Sequence, residues 1–175
     1  MLTQAKREVA AWVLAMELGL TALVPTTVLR QVPESDDVHG SYVEASVQVL
    51  WPRFRTAADD SLACEQCADD VSWRVAVFDL LAANTDRNEG NWGTIEGLPR
   101  VALVDHGHAF QADDSSSPFV QRHRGGDIPQ DLLNCVQLLH ANETTSRLTQ
   151  FLDAPVCQGV FARAAKLKQG KLDVR

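Results

Sequence analysis

No stretch of this chain approaches the run of ~20 apolar residues that a membrane-spanning helix requires. Its apolar residues, 45% of the total, are interrupted every few positions. The opening residues, Met1 to Glu8, do not lead into the apolar core of a secretory leader, because Glu8 and Glu17 bracket the apolar positions there. The expectation is a cytoplasmic location with no transmembrane segment. Positive charge is also scarce. A net charge of −7 is the wrong sign for a broad phosphate-neutralising surface, so nucleic acid is not an expected partner. Arg163, Lys166, Lys168, Lys171 and Arg175 do gather near the end of the chain, where the cationic last turn of a helix accounts for them. No basic amphipathic helix or polybasic patch of the kind that seeks anionic lipid is present. Cysteine is sparse, and Cys64 and Cys67 form one CxxC without a second pair or a histidine at zinc-ligand spacing. In a cytoplasmic chain the simpler reading is ordinary thiols. There is no internal repeat, and the longest low-complexity patch is Asp113 to Ser117.

What is present fits one compact α+β domain, since 175 residues are enough for one respectable core and too few for two. Val9, Trp12, Val13 and Met16 follow helical spacing and predict a helix from about Ala5 to Leu18, with Gly19 taking the left-handed position after it. A hairpin is expected next: a β-branched strand at Thr26 to Arg30, a turn from Gln31 to Gly40, and a returning strand from Tyr42 to Leu50. Thr56 to Asp69 reads as a polar connector. Asp70 is the expected N-cap of a helix with Val71, Arg74, Val75, Phe78 and Ala82 on one face and Trp73, Val77 and Leu81 on the rest, apolar nearly all round and therefore central. Short strands at Asn91 to Ile95 and Arg100 to Val104, joined by a turn at Glu96 to Pro99, follow it. A polar loop is expected over Gln111 to Gly126. Three further helices are expected: one begun by Asp127 and Pro129 and buried through Leu132, Leu133, Val136 and Leu139; a short one at Leu148, Phe151 and Leu152; and a last one from Pro155 to about Lys168.

The central helix delivers Asn84-Thr85-Asp86-Arg87-Asn88-Glu89-Gly90-Asn91 as a loop, and the hairpin brings Val104-Asp105-His106-Gly107 back beside it. Phosphoryl transfer from ATP needs charge neutralisation, alignment and a carboxylate near the attacking hydroxyl, with little covalent help. Asp86 suits the last role. Asn91 offers a neutral oxygen and Asp105 a charged one, which with phosphate oxygens and water complete the oxygen shell that Mg²⁺ prefers. Arg87 is placed either to stabilise the loop or to pair with phosphate. The spacing Asp-x₄-Asn, a short hairpin, then Asp-x-Gly is that of protein-kinase catalytic and metal-binding loops. Taken alone, the first segment also reads as a polar turn, because Asn, Asp and Gly are turn residues.

The run from Asn84 to Trp92 resembles the catalytic loop of type II phosphatidylinositol 4-kinases and of a related bacterial group of phosphatidylinositol 3- and 4-kinase-like proteins. Leu103 to Phe110 resembles their metal-binding segment. Arg7 to Trp12, with Leu18-Gly19-Leu20 and Leu23 to Val28, resembles the family's helix and following strand, and Gly40-Ser41 with Val47 to Leu50 resembles the strand entering the hinge. The resemblance runs in order from about Arg7 to Phe110. It implies a reduced kinase-like fold over 1–175, with 1–51 a remnant N-lobe reaching the hinge and 52–175 a mostly helical C-lobe. It implies Asp86 as the catalytic Asp, Asn91 and Asp105 as metal ligands, Glu8 as the helix Glu that pairs with a phosphate-binding Lys, and Val49-Leu50-Trp51 as the border of the adenine. Trp51 reads equally as a core aromatic that ends a strand.

The chain departs from that pattern at its front. No Gly-rich loop precedes the helix, and Lys6 sits only two residues before Glu8, where side chains face different ways. The expectation is an ATP- and Mg²⁺-dependent phosphotransferase, reduced or truncated, with a partner chain as one source of the missing strands. The phosphate acceptor is open between protein, lipid and small molecule. Two alternatives stand beside it: an inactive pseudokinase that binds nucleotide or a partner, and a metal-dependent hydrolase using Asp105-His106-Gly107-His108 with His123 or His140, in which an HxH strand would turn both rings to one face.

Overall fold

The computed structural model describes residues 2–34, 41–60, 67–96, 98–111, 117–143 and 145–172. Helix α1 (Gln4–Glu17) is capped by Thr3, whose hydroxyl accepts from the Lys6 amide at 3.2 Å. Its apolar stripe buries Val9, Ala10, Ala11, Val13, Leu14 and Ala15, and Gly19 takes φ +70° just beyond its end. Strands β1 (Thr27–Pro33) and β2 (Tyr42–Gln48) form an antiparallel two-stranded sheet in which Thr27 faces Gln48 and Pro33 faces Tyr42. β1 therefore runs further than Arg30, because the β-branched ladder continues through Val32 opposite Val43. β2 ends earlier than expected, at Gln48, although the Val49 amide still donates to the Thr26 carbonyl at 2.9 Å. Most of the expected turn between the strands, and Cys64 of the CxxC, lie outside the described residues, whereas Cys67 is buried.

Just before the expected connector, and reaching only its first residue, lies an unexpected strand, β3 (Phe54–Thr56), which joins β4 (Trp92–Ile95) and β5 (Leu98–Leu103) in a three-stranded antiparallel sheet of order β3-β4-β5. Gly93 makes that pairing feasible: a Cβ there would lie 1.8 Å from the Arg55 carbonyl oxygen. Helix α2 (Asp69–Leu81) starts one residue before the expected cap, with Ala68 as N-cap and two aspartates in its first turn, where the helix dipole favours negative charge. Ser72 and every residue from Val75 to Leu81 are buried, so the helix is central as expected. Arg74 departs from the inward face and pairs with Asp131 at 2.6 Å, both partly exposed. A fully buried Phe such as Phe78 contributes roughly 1.5–3 kcal/mol of burial free energy.

The expected polar loop after β5 carries a short helix, α3 (Pro118–Arg122), with Pro in its first turn and Phe119 and Val120 buried. Its Asp113 to Ser116 part lies outside the described residues. Helix α4 (Gln130–Ala141) buries Leu132, Val136 and Leu139, a 3-10 turn spans Arg147–Gln150, and α5 (Ala154–Leu167) buries Cys157, Val160, Phe161, Ala164 and Leu167. The 3-10 turn is stitched to the end of α1: both Glu17 carboxylate oxygens accept, from the Ser146 hydroxyl at 2.7 Å and the Arg147 amide at 2.8 Å. No described helix is long and apolar enough to cross a membrane.

Candidate active site

The loop after α2 is built around one buried ion pair. Asp79, on the last turns of α2, and Arg87 are both fully buried and meet at 3.1 Å. The Asp79 carboxylate also accepts from the Asn84 amide at 3.1 Å and the Ser117 hydroxyl at 2.6 Å. Arg87 Nη1 donates to the Asn91 carbonyl and, at 3.0 Å, to the Val104 carbonyl. One guanidinium thereby ties the end of α2, the start of β4 and the residue before Asp105. Of the two roles open to Arg87 on sequence grounds, this geometry is the loop-stabilising one, and burial removes the side chain from reach of a phosphate.

Asn84 continues the scaffold by accepting from the Asp86 amide at 3.1 Å. The Asp86 carboxylate is then held at both oxygens, by the Asn88 amide at 2.8 Å and the Asn91 amide at 3.2 Å, while the Asn91 amide also donates to the Asp86 carbonyl at 2.8 Å. Asn88 closes its own turn by accepting from the Gly90 amide at 2.8 Å. Asp86 and Asn91 are therefore in direct contact. With its nitrogen committed to Asp86, Asn91 has its amide oxygen left for a cation.

Asp105 reaches the same loop through the backbone, since the Val104 amide donates to the Asn91 carbonyl at 3.0 Å. It is exposed and adopts φ +51°, a left-handed conformation that Asp tolerates better than most residues. The turn it opens is locked to α1. The His106 amide donates to Glu8 Oε1 at 2.7 Å, and Arg7 Nη1 donates to the Ala109 carbonyl at 2.8 Å. Glu8 Oε2 accepts from the Gln48 amide at 2.7 Å and lies 3.4 Å from His106 Nδ1.

Burial works against ionisation of Glu8, but its bonds and charge contact with His106, with Gln48 adding, prevail and hold the carboxyl below its ordinary range. Burial lowers the His106 imidazole, and the Arg87 charge lowers it further against the pull of Glu8 and Asp79. His106 packs edge-on against Phe78, with Nδ1 turned to Glu8 and no hydrogen-bond partner for Nε2 among the described residues.

A cavity of about 430 Å³ opens between the start of α1, the middle of β2 and the Asp105 turn, lined among others by Glu8, Glu44, Ser46, Asp105 and Gly107. Among the described residues, Val49, Leu50 and Trp51 do not line it. Val49 and Leu50 are largely exposed and Trp51 is half-buried. Lys6 lies 3.9 Å from Glu44, not at Glu8.

The HxH geometry expected for a hydrolase is absent. Residues 104–108 form a turn beyond β5, with His106 buried and His108 exposed. His123 is engaged elsewhere, stacked on Trp73 at 4.1 Å and 2.5 Å from the Ser72 hydroxyl. Among the described residues no group of three His, Cys, Asp or Glu side chains is placed to hold a metal. Sequence reading missed Asp79 and Ser117; for Asp79 the available signal was a carboxylate beyond the first turn of a helix that is apolar nearly all round.

No family model and no curated protein matches the chain in sequence. Solved structures match it in fold. The Golgi casein kinase with Mn/ADP bound superposes with a TM-score of 0.61 at 15% identity, covering 97% of this chain and 61% of that one. A second Golgi casein kinase structure gives 0.61 at 16% identity, covering 98% and 60%. The Helicobacter pylori proinflammatory kinase CtkA gives 0.48 at 12% identity, covering 98% and 82%. The chain has a kinase-like fold and spans about three fifths of the length of the Golgi casein kinase chains.

Proposed function

We propose that this chain is an ATP- and divalent-cation-dependent phosphotransferase of the phosphatidylinositol 3-/4-kinase-like type. The carrying observation is the role of Asn91, which binds the Asp86 carboxylate with its side chain and the amide before Asp105 with its carbonyl. These bonds support reading Asp86, Asn91 and, through the backbone before it, Asp105 as one site. The finer family assignment rests on the sequence motifs. The neutral Asn91 oxygen and the exposed Asp105 carboxylate are hard donors of the kind Mg²⁺ takes, and would hold it together with phosphate oxygens and water. Such an ion would neutralise charge developing on the transferred phosphoryl group.

In this reading Asp86 orients the acceptor hydroxyl and receives its proton, with Asn88 and Asn91 fixing the carboxylate. Arg87 acts by positioning, holding the two acidic segments together through Asp79 and the Asn91 and Val104 carbonyls. Glu8 holds the Asp105 turn through the His106 amide, and the cavity beside it takes the phosphate end of the nucleotide. Val49, Leu50 and Trp51 border the adenine, and a partner chain or segment completes the lobe over the β1–β2 hairpin.

The pseudokinase reading has one observation in its favour: the Glu8 carboxylate is already satisfied by Gln48 and His106, with no lysine among the described residues at hydrogen-bond distance. Calorimetric titration of the chain with Mg²⁺ and ATP decides between them, repeated on Asp105→Ala, with phosphoryl transfer measured on Asp86→Asn. Binding lost in the first variant and turnover lost in the second is the expected result. Binding without turnover in the unmodified chain establishes the pseudokinase, and equal turnover in all three proteins overturns the site.

A further inference from the structure

We infer that the cavity between the Asp86 loop and α3 receives the phosphate acceptor, and that the acceptor is a small amphiphilic alcohol carrying an apolar ring and an anionic group; this rests on the phosphotransferase reading above. The cavity measures about 630 Å³, within the ~300–1,000 Å³ typical of small-molecule sites. Its walls are of three kinds. Trp92 and Phe119, packed edge to face with ring centroids 5.0 Å apart, form with Pro118 an apolar floor suited to a ring. The second wall is charged: Arg122, half-exposed and paired with Asp69 at 3.7 Å, supplies the cation that an anionic group on the acceptor would meet, beside the Glu89 carboxylate, which restricts that group to the Arg122 end, and Arg87, whose charge is taken up by Asp79. Asn88 forms the third wall, and its amide is bonded to Asp86 Oδ1, so the cavity wall ends one hydrogen bond from the carboxylate that takes the proton.

A hydroxyl seated there attacks the γ-phosphorus of ATP. The new O–P bond forms as the bond to the β-phosphate oxygen breaks, ADP leaves with that electron pair, and the hydroxyl proton passes to Asp86. The volume and the ring-sized apolar floor favour a small-molecule acceptor, and a peptide acceptor is the competing outcome of the test.

The test is titration of the isotope-labelled full chain with para-(hydroxymethyl)benzoate, followed by backbone amide shifts, in parallel with benzyl alcohol and with a serine-containing peptide. Saturable shifts are expected at Asn88, Glu89, Gly90 and from Phe119 to Arg122. Arg122→Ala should weaken the carboxylated probe about tenfold, the loss of roughly one charge-assisted contact, and leave benzyl alcohol unchanged. Shifts absent from both segments overturn the inference, as does phosphorylation of the peptide without displacement of the probe. Mg·ATP binding is scored separately on the same sample. Nucleotide binding without probe binding removes the acceptor cavity and spares the phosphotransferase; probe binding without nucleotide binding removes the phosphotransferase, and the acceptor role with it.

Discussion

Replacing Arg87 by Ala should unfold this protein or bring it close to unfolding, without any direct effect on substrate. Both members of the Arg87–Asp79 pair are fully buried, and removing one partner of such a pair costs about 3–5 kcal/mol because the other charge is left uncompensated. Asn84 and Ser117 still reach Asp79 but bring no positive charge. The Val104 carbonyl loses its guanidinium donor as well, at roughly 1–3 kcal/mol for a buried acceptor left unsatisfied, while the Asn91 carbonyl keeps the Val104 amide. These losses share one side chain and do not add. A net cost of about 4 kcal/mol, against a total stability on the order of 5–15 kcal/mol for a domain, is severe. With a urea slope of about 2 kcal/mol/M, it moves the unfolding midpoint down by about 2 M. Circular dichroism during urea unfolding measures it. The double replacement Asp79→Leu with Arg87→Met should recover much of the loss, since a well-packed apolar pair often matches a buried ion pair. If Arg87→Ala instead keeps the original midpoint while phosphoryl transfer disappears, the guanidinium acts on phosphate and the strut argument is wrong.

Other perturbations separate scaffold from site. Gly93→Ala should cost roughly 2–4 kcal/mol, because its Cβ would collide with the Arg55 carbonyl at 1.8 Å and β3 must detach; thermal unfolding with lost protection of the Ala57 amide, which donates to the Trp92 carbonyl, would register it, and an unchanged melting temperature would contradict the pairing. Asp105→Asn keeps a residue tolerant of positive φ, so stability should stay within about 0.5 kcal/mol while Mg·ATP affinity falls at least tenfold by calorimetry. Stability should also fall with acid in two stages. His106 is lowered in the folded chain, so below pH 6.5, the ordinary value for a histidine, the unfolded chain takes the proton first; Glu8 is lowered too, and extends the loss below 4.5. Stability is thus full above 6.5 and lost as pH falls through the folded values. Denaturation between pH 7 and 5 should show a shallower slope in His106→Phe, with the burial-lowered His123 supplying part of what remains; an unaltered slope would contradict a folded His106 that resists protonation.

The parts of the fold that sequence made legible are those in which local pattern and tertiary role agree. The spacing of Val9, Val13 and Met16 marks α1, and the all-round apolarity of Val75 to Leu81 marks a helix with no solvent face. Where tertiary context decides, the pattern was silent. Phe54-Arg55-Thr56 is too short to show alternation, and it is a strand only because Gly93 lets the neighbouring backbone approach. Pro118 to Arg122 looks polar beside its Asp- and Ser-rich surroundings, yet Phe119 and Val120 are enough to bury it against α2 and Trp92. The motif itself was legible residue by residue, because Asp86, Asn88 and Asn91 close on one another within the loop. Arg87 was the ambiguous member, since its role depends on Asp79, eight residues earlier within the central helix, and on the Val104 carbonyl across the hairpin.

Glu8 shows how a single side chain can leave the catalytic question and the structural question separate. Its two oxygens do different work: Oε1 holds the His106 amide, and thus the Asp105 turn, while Oε2 is taken by Gln48 from the neighbouring strand. The first bond is internal to the site and needs no cation. The second occupies the carboxylate lone pairs that a phosphate-binding lysine would engage. A lysine reaching Oε2 would therefore displace a neutral amide and leave the Asp105 turn in place. The same arrangement serves a protein that never receives the lysine, because Gln48 already satisfies the buried carboxylate. The Asp86–Asn91–Asp105 scaffold is common to both states, and a difference between kinase and pseudokinase would then lie in what meets Glu8 Oε2.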